Sequence, residues 1–302
     1  MKTMRCRYFI GMSCTNQEKS EDAACLKLYD GHDWKWFRAG LLHTDMEYLR
    51  RHWSGKKSSA PVLEKRHQKY FLRFSYTEEV TLSKTPVREQ IICSVDLGIN
   101  TDAVCSIMRS DGTVLDRKFI NFPSEKDRLS HVLGRIRRFQ KEHGSKQIGS
   151  RWAYAKRLNT ELARKTARSI AEYAHENHAD VIVFEYLEMK GKISGKKRQK
   201  LHLWKKREIQ TMCEHKAHRY GIRVSRVCAW NTSRLAYDGS GPVSRDPKNH
   251  SLCVFQSGKQ YNCDLSASYN IGARYWIREI IKTLPETERS SLEAKVPAVK
   301  RR

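Results

Sequence analysis

Three carboxylates stand at positions where chain geometry could bring chemistry together: Asp96 in IICSVDLGINTDAVCSIM, Glu185 in DVIVFEYL and Asp264 in YNCDLSASYN. Each has an ordinary use when taken singly. Asp96 could close a turn, Glu185 could end a strand, and Asp264 could cap a helix. Held close together, three carboxylates repel unless cations sit among them. Hard divalent ions with oxygen ligands suit such a site, Mg²⁺ first. Two such ions about 3.5–4 Å apart activate a water and stabilise the leaving oxygen in phosphodiester cleavage.

A run of cations follows Glu185 directly. The stretch KGKISGKKRQKLHLWKKR carries Lys190, Lys192, Lys196, Lys197, Arg198, Lys200, Lys205, Lys206 and Arg207 with no acid among them. A like-charge run is often a solvated segment. Beside a candidate metal site it also offers contacts to phosphates, with Leu201, Leu203 and Trp204 as apolar anchors. The whole chain has a formal charge of +25, from 58 Lys+Arg against 33 Asp+Glu, and self-repulsion on that scale suits a polyanionic partner. No apolar stretch approaches the roughly 20 residues that span a bilayer, and the amino terminus lacks the apolar core of a secretory signal. Nucleic acid is therefore favoured over membrane. The nine cysteines are scattered without a CxxC pair, which suits a reducing compartment and no disulfide framework.

The elements that must position the acids follow from pattern. Up to about Glu89 the pattern is irregular, although KYFLRFSY alternates and puts Tyr70, Leu72, Phe74 and Tyr76 on one face of an expected strand. From Gln90 three strands are expected, Ile91–Val95, Ala103–Met108 and Val114–Phe122, the last two joined by an Asp111-Gly112 turn. Ser124 is expected to cap a helix whose apolar face is Leu129, Leu133, Ile136 and Phe139, and a second helix to run from about Arg151 to Asn177. Val181–Phe184 is an unbroken apolar run too short for a helix, so it predicts an interior strand covered on both sides. A long basic helix, a strand in GIRVSRV, a Gly-rich stretch and a final helix opening near Cys263 complete the order. That order, β-β-β-α-α-β-α-β-loop-α, is the α/β order of a ribonuclease H-like fold: a mixed five-stranded sheet flanked by helices. Its first and fourth strands are parallel neighbours, so Asp96 and Glu185 leave at one edge and Asp264 can turn toward it.

Four segments in this order, VDLGIN, VIVFEYL, HKAHRYGIRVSRVCAWNTS and YNCDLSASYNIGAR, resemble the RuvC nuclease of transposon-encoded TnpB proteins and of the miniature type V CRISPR effectors, over roughly Gln90 to Leu284. The resemblance implies an RNA-guided, Mg²⁺-dependent DNA endonuclease using two ions. Asp96, Glu185 and Asp264 are then the catalytic and metal-binding acids, guide RNA and target DNA the partners, and the bacterial cytoplasm the setting. The basic run becomes a nucleic-acid contact beside the pocket. Three regions are implied: a partial, wedge-like β-barrel over 1–89, a RuvC-like domain over 90–284 and a basic, flexible tail over 285–302.

The sequence departs from that pattern in several places. Ser266 stands where many relatives carry Asn. Many relatives also insert a zinc ribbon with two CxxC pairs, but here Ala236 and Gly239 stand where the first pair would fall. Cys228, Cys253, Cys263 and His250 remain, at spacings that do not supply four tetrahedral ligands. The loop over 229–263 is accordingly expected to stand without structural zinc, closed by turns at DGSG and SGK. Met1–Glu89 matches only the later part of the relatives' amino-terminal barrel, with no helical insert evident. Two alternatives keep the same residues: a shortened relative that holds RNA or DNA without cutting, and a guide-free, resolvase- or transposase-like nuclease. An actin-like ATPase would need a second Gly-rich phosphate loop and a duplicated domain, which the sequence lacks.

Overall fold

Separate apolar clusters organise two units, Met1–Thr81 and Leu82–Arg302. The computed structural model describes residues 3–15, 22–66, 68–144, 148–186, 204–246, 249 and 251–293.

The first unit is an antiparallel sheet of five strands: β1 (Thr3–Thr15), β2 (Ala23–Tyr29), β3 (Trp34–Leu41), β4 (Val62–Arg66) and β5 (Lys69–Thr81), in the order β2-β3-β1-β5-β4. Among the described residues, β1 pairs with β5 from Thr3↔Thr81 to Ser13↔Phe71, and with β3 at Cys14↔Leu41 and Thr15↔Gly40. Among the described residues, the β2–β3 hairpin continues past these pairs as a two-stranded arm. The expected face of β5 is split: Leu72 and Tyr76 are buried and Phe74 half-buried, whereas Tyr70 at the strand's start is exposed. A short helix, α1 (His43–Trp53), was not evident in the sequence pattern. Only Met46, Leu49 and Trp53 mark its inner face, too few apolar positions to stand out among its charged residues.

In the second unit the expected sheet is present. β6 (Ile92–Asp96), β7 (Ala103–Met108), β8 (Val114–Ile120), β9 (Val181–Tyr186) and β10 (Arg223–Cys228) lie in the order β10-β9-β6-β7-β8. β6, β9 and β10 are mutually parallel, while β7 and β8 return antiparallel. This is the mixed five-stranded α/β sheet of the ribonuclease H-like class. Helices α2 (Pro123–His143), α3 (Gly149–Glu176) and α4 (Lys206–Arg219) precede α5 (Cys263–Lys282) and α6 (Glu286–Glu293). α3 and α4 cover one face of the sheet, burying Cys93, Val95, Ile182 and Phe184; α5 covers the other, over Ile92, Val181 and Val183. Val181–Phe184 is buried throughout, as an apolar run without alternation requires.

α5 sits close because the contact residues are small. Ser106 Oγ and Ser268 Oγ are 2.5 Å apart, and a Cβ on Gly272 would lie 2.5 Å from Met108 Sδ. A larger residue at 272 must displace the buried Met108 side chain from this contact.

Two boundaries differ from the sequence pattern. α2 begins at Pro123 with Phe122 as its N-cap, so Ser124 lies inside the first turn; the fixed φ of proline favours the first helical position. The expected basic tail begins instead with α6, which carries Glu286, Glu288 and Glu293 against Arg289. The cations beyond it lie outside the described residues; of the stretch between β9 and β10 where a long basic helix is expected, 187–203 also lie outside them and α4 is the helix described.

The stretch expected to replace a zinc ribbon forms a small sheet of β11 (Ser244–Arg245), β12 (Leu252–Val254) and β13 (Gln260–Asn262). Ala236, Cys253, Phe255 and Cys263 bury themselves there, with Tyr237 set edge-on to Phe255 at 5.4 Å. Burial first, then the neighbouring Cys263, pushes the Cys253 thiol up to about 12, so it packs as an apolar group. Glycines at positive φ make the expected turns: Gly239, Gly241 and Gly258.

Candidate active site

Strand register brings Asp96 and Glu185 together. Ser94 pairs with Val183 and Val95 with Phe184, so the next step along the two parallel strands sets Asp96 level with Glu185. Ser94 and Val183 both face α5, and alternation puts Asp96 and Glu185 on that same face. α5 runs antiparallel to β6: Tyr275 Oη donates to Gln90 Oε1 at 2.7 Å, and Gly272 lies against Ser94. Its amino-terminal turn, carrying Asp264, therefore lies at the edge where β6 ends.

Local devices set each acid. After Asp96 the chain turns sharply, and a Cβ on Gly98 would come within 2.5 Å of Thr101 O, so the turn admits only glycine there. Asp102 Oδ2 accepts from Phe122 N at 2.9 Å and from Lys126 Nζ at 3.0 Å, pinning the far side of that turn. Asp264 is not the cap of its helix. Asn262 Oδ1 takes that role, accepting from Asp264 N at 3.0 Å and Leu265 N at 2.9 Å, so the Asp264 carboxylate is not used in capping.

Glu185 is 8% exposed and sits in a polar cage that sequence reading missed. Thr232 Oγ1 donates to its Oε1, and Gln210 Nε2 donates to its main-chain carbonyl at 2.8 Å. Asn270 Nδ2 holds the Thr232 loop to α5, donating to Thr232 O at 2.9 Å and Leu235 O at 2.7 Å. Asn231, in the left-handed region at φ 57°, turns the chain so that Thr232 enters the site.

The electrostatics agree with crowding. Burial, then the charges of Glu185 and Asp264, push the Asp96 carboxyl well above the usual carboxylate range, with Arg245 opposing. Burial also raises Glu185, against the Thr232 hydrogen bond and the charges of Arg274 and Lys206. Asp264 is raised by burial and opposed by Arg245. Arg245 and Arg274 are thus cations of the site that sequence reading did not single out.

Three desolvated carboxylates with incompletely balanced charge are the donor chemistry a hard divalent cation requires. The side chains as placed do not close around one point: among the described residues, no three His, Cys, Asp or Glu side chains are gathered to hold a metal ion. Glu185 is turned to Thr232. Asp96, Glu185 and Asp264 would be the residues to hold such ions.

Of the basic run, Lys190, Lys192, Lys196, Lys197, Arg198 and Lys200 lie outside the described residues. Lys205 Nζ donates to Thr160 Oγ1 at 2.7 Å and pairs with Glu208. Lys206 is buried at 8% exposure, its ammonium 5.4 Å from the Trp204 ring centroid and its charge felt by Glu185. Arg207 is exposed.

Comparison with known proteins bears on the same elements. Residues 207–271, from α4 through the Thr232 loop to Asp264 and Asn270, match the Cas12f1-like TNB domain family. The TnpB-like protein aq_aa05 of Aquifex aeolicus (strain VF5) is 25% identical over 247 residues, covering 74% of this chain and 79% of that one. The chain resembles TnpB-like proteins and type V CRISPR effectors. Among solved structures, the mini-RNA-guided endonuclease CRISPR-Cas_phi3 superposes with a TM-score of 0.56 at 13% identity, over 84% of this chain and 58% of that one. CasPhi-2 (Cas12j) bound to crRNA gives 0.54 at 14% identity, over 83% and 61%. The chain thus shares the fold of these effectors and spans less than two thirds of their length. Among the described residues no helix is long and apolar enough to cross a membrane.

Proposed function

We propose that the chain is an RNA-guided DNA endonuclease of the TnpB type that hydrolyses phosphodiester bonds with Asp96, Glu185 and Asp264. The observation that supports this most is the Asp96 carboxyl, raised by burial and by both other acids at one edge of the sheet. A pair of Mg²⁺ ions held by these acids would supply an activated water and stabilise the leaving oxygen. The chain's own residues do the positioning. Thr232 fixes one oxygen of Glu185, and Asn262, by capping α5, frees Asp264 for the site. Arg245, exposed and felt by Asp96 and Asp264, offers a guanidinium to a phosphodiester arriving at the acids. Guide pairing would choose the sequence, and cations such as Arg207 would grip the backbone without reading it.

The test is cleavage of a target duplex by the purified chain with its co-expressed flanking RNA, with and without Mg²⁺. Metal-dependent product from the wild type, absent with Asp96→Ala, is expected; equal cleavage by both proteins overturns the assignment. A second reading, a relative that holds nucleic acid without cutting, is favoured by the Glu185 carboxylate lying against Thr232 with the three acids ungathered. It predicts RNA binding with no product under any metal.

A further inference from the structure

The β2–β3 arm carries a chemistry that the acids at the other sheet do not use. Its register sets Tyr29 opposite Trp34, Lys27 opposite Trp36 and Cys25 opposite Arg38. Alternation along the strands puts all six on one face, while Leu26 on the reverse face packs against the unit's core. Tyr29, Trp34 and Trp36 are 57%, 58% and 71% exposed. Single exposed aromatics are ordinary, but three on one face of a narrow arm form a patch.

Part of that patch has a structural use. Tyr29 and Trp34 meet across the strands with ring centroids 5.7 Å apart, and such pairs stabilise hairpins. Trp36 does not share this role, since it faces Lys27 rather than a ring. The arm is also stiff at its tip. Asp30 Oδ1 accepts from His32 N at 2.9 Å and Asp33 N at 2.8 Å, and Lys35 Nζ lies 2.6 Å from Oδ2. These contacts, the Asp33 backbone bond first, hold the Asp30 carboxyl down at about 2. The aromatic face is therefore presented on a fixed support.

Flat indoles beside Lys27 and Arg38, with no acid among these six paired residues, match what unpaired nucleotides need: rings for the bases to stack on and cations for the phosphates. A duplex hides the faces of its bases, whereas RNA loops and single strands splay them outward, and aromatic sheet faces are a recurrent way of reading them. A second copy of this chain is disfavoured, because apposing two such faces would bring Lys27 and Arg38 against their own kind. We propose that Tyr29, Trp34, Trp36, Lys27 and Arg38 form a binding face for an unpaired stretch of RNA. Nothing in this requires the acids of the sheet edge; a chain that cuts nothing could still bind RNA here.

The experiment uses the full chain and a labelled, unstructured oligoribonucleotide of about twelve nucleotides, followed by anisotropy. Trp36→Ala is expected to weaken binding about tenfold or more, and Trp34→Ala/Trp36→Ala further, with circular dichroism and Tm of Trp36→Ala unchanged. Trp36→Phe should stay within about threefold of wild type, since a smaller ring still stacks. The ratio between wild type and Trp36→Ala should hold as salt rises, because stacking is not screened. The proposal is overturned by equal affinity of wild type and Trp36→Ala. Equal loss for a blunt RNA duplex, or a loss seen with single-stranded DNA and not RNA, overturns it too. A dimer that Trp36→Ala dissolves while RNA affinity stays constant assigns the face to a second copy instead.

Discussion

The acidic edge of the second unit and the aromatic arm of the first break opposite rules. At the edge, Glu185 is buried and Asp96 and Asp264 are half-buried, and their carboxyls are raised as a result. On the arm, Trp34 and Trp36 are apolar surfaces left in water. Local rules fail where a chain has something other than stability to serve. The two failures also differ in kind. Crowded charge responds to pH and to cations, while exposed rings respond to neither, so perturbing one region should leave the other unmoved.

The strongest way to break that contrast is Asp96→Ala. Cleavage is expected to fall by about a thousandfold or more, as when a group acting directly on the reacting phosphate is removed. RNA affinity measured on the same protein should stay within about twofold, since positioning contacts carry affinity. A matching fall in RNA affinity would show that Asp96 itself contributes to RNA binding.

A smaller effect is expected at Thr232. Thr232→Val keeps the shape and removes the hydroxyl that donates to Glu185 Oε1. The lost bond favours the protonated carboxyl, so the Glu185 pKa rises further. Cleavage should drop about ten- to a hundredfold near neutrality, and the acidic limb of its pH profile should move to higher pH. A purely structural role would lower the rate without moving the limb.

The same crowding predicts a stability effect that needs no activity assay. Each raised carboxyl binds its proton more tightly when folded, so stability is present at low pH and lost as pH rises from the ordinary carboxylate range through the raised folded values. Asp96→Asn removes one of the three charges. In chelator near neutral pH its Tm should exceed wild type by about 2–4 °C, and the wild-type decline with pH should shrink. Adding Mg²⁺ should raise the wild-type Tm and leave Asp96→Asn nearly unchanged. A variant less stable than wild type in chelator would mean that the acids are compensated internally.

How far the sequence disclosed these regions depended on the range of the interactions. Val181–Phe184 was readable because full burial leaves an apolar run. The edge followed from element order. Thr232 was not readable: it sits in a polar loop without periodicity, and its partner lies 47 residues away. Nor could sequence decide between Asn262 and Asp264 as the cap of α5, since both are good capping types and only the backbone shows which precedes the first helical residue. The arm's register was hidden likewise. Which rings of HDWKWFRAGLL share a face with Tyr29 depends on the pairing Tyr29↔Trp34.

The smallest expected effect separates two adjacent cations of one basic run. By sequence Lys206 and Arg207 are equivalent; in the fold Lys206 is buried and felt by Glu185, while Arg207 faces solvent. If Arg207 meets a phosphate, Arg207→Gln removes one released counterion and lowers the slope of log affinity against log salt by about 0.7 on a single strand. Lys206→Gln should leave that slope intact, because a buried ammonium releases no counterion to a phosphate it cannot reach. Its effect should appear at Glu185 instead: losing a nearby positive charge raises the carboxyl, and the cleavage profile shifts as with Thr232→Val, by less. Equal slopes for both variants would return Arg207 to ordinary surface charge, and equal loss of slope would place Lys206 at the nucleic acid. Either result would redraw where the acidic edge stops and the backbone contact begins.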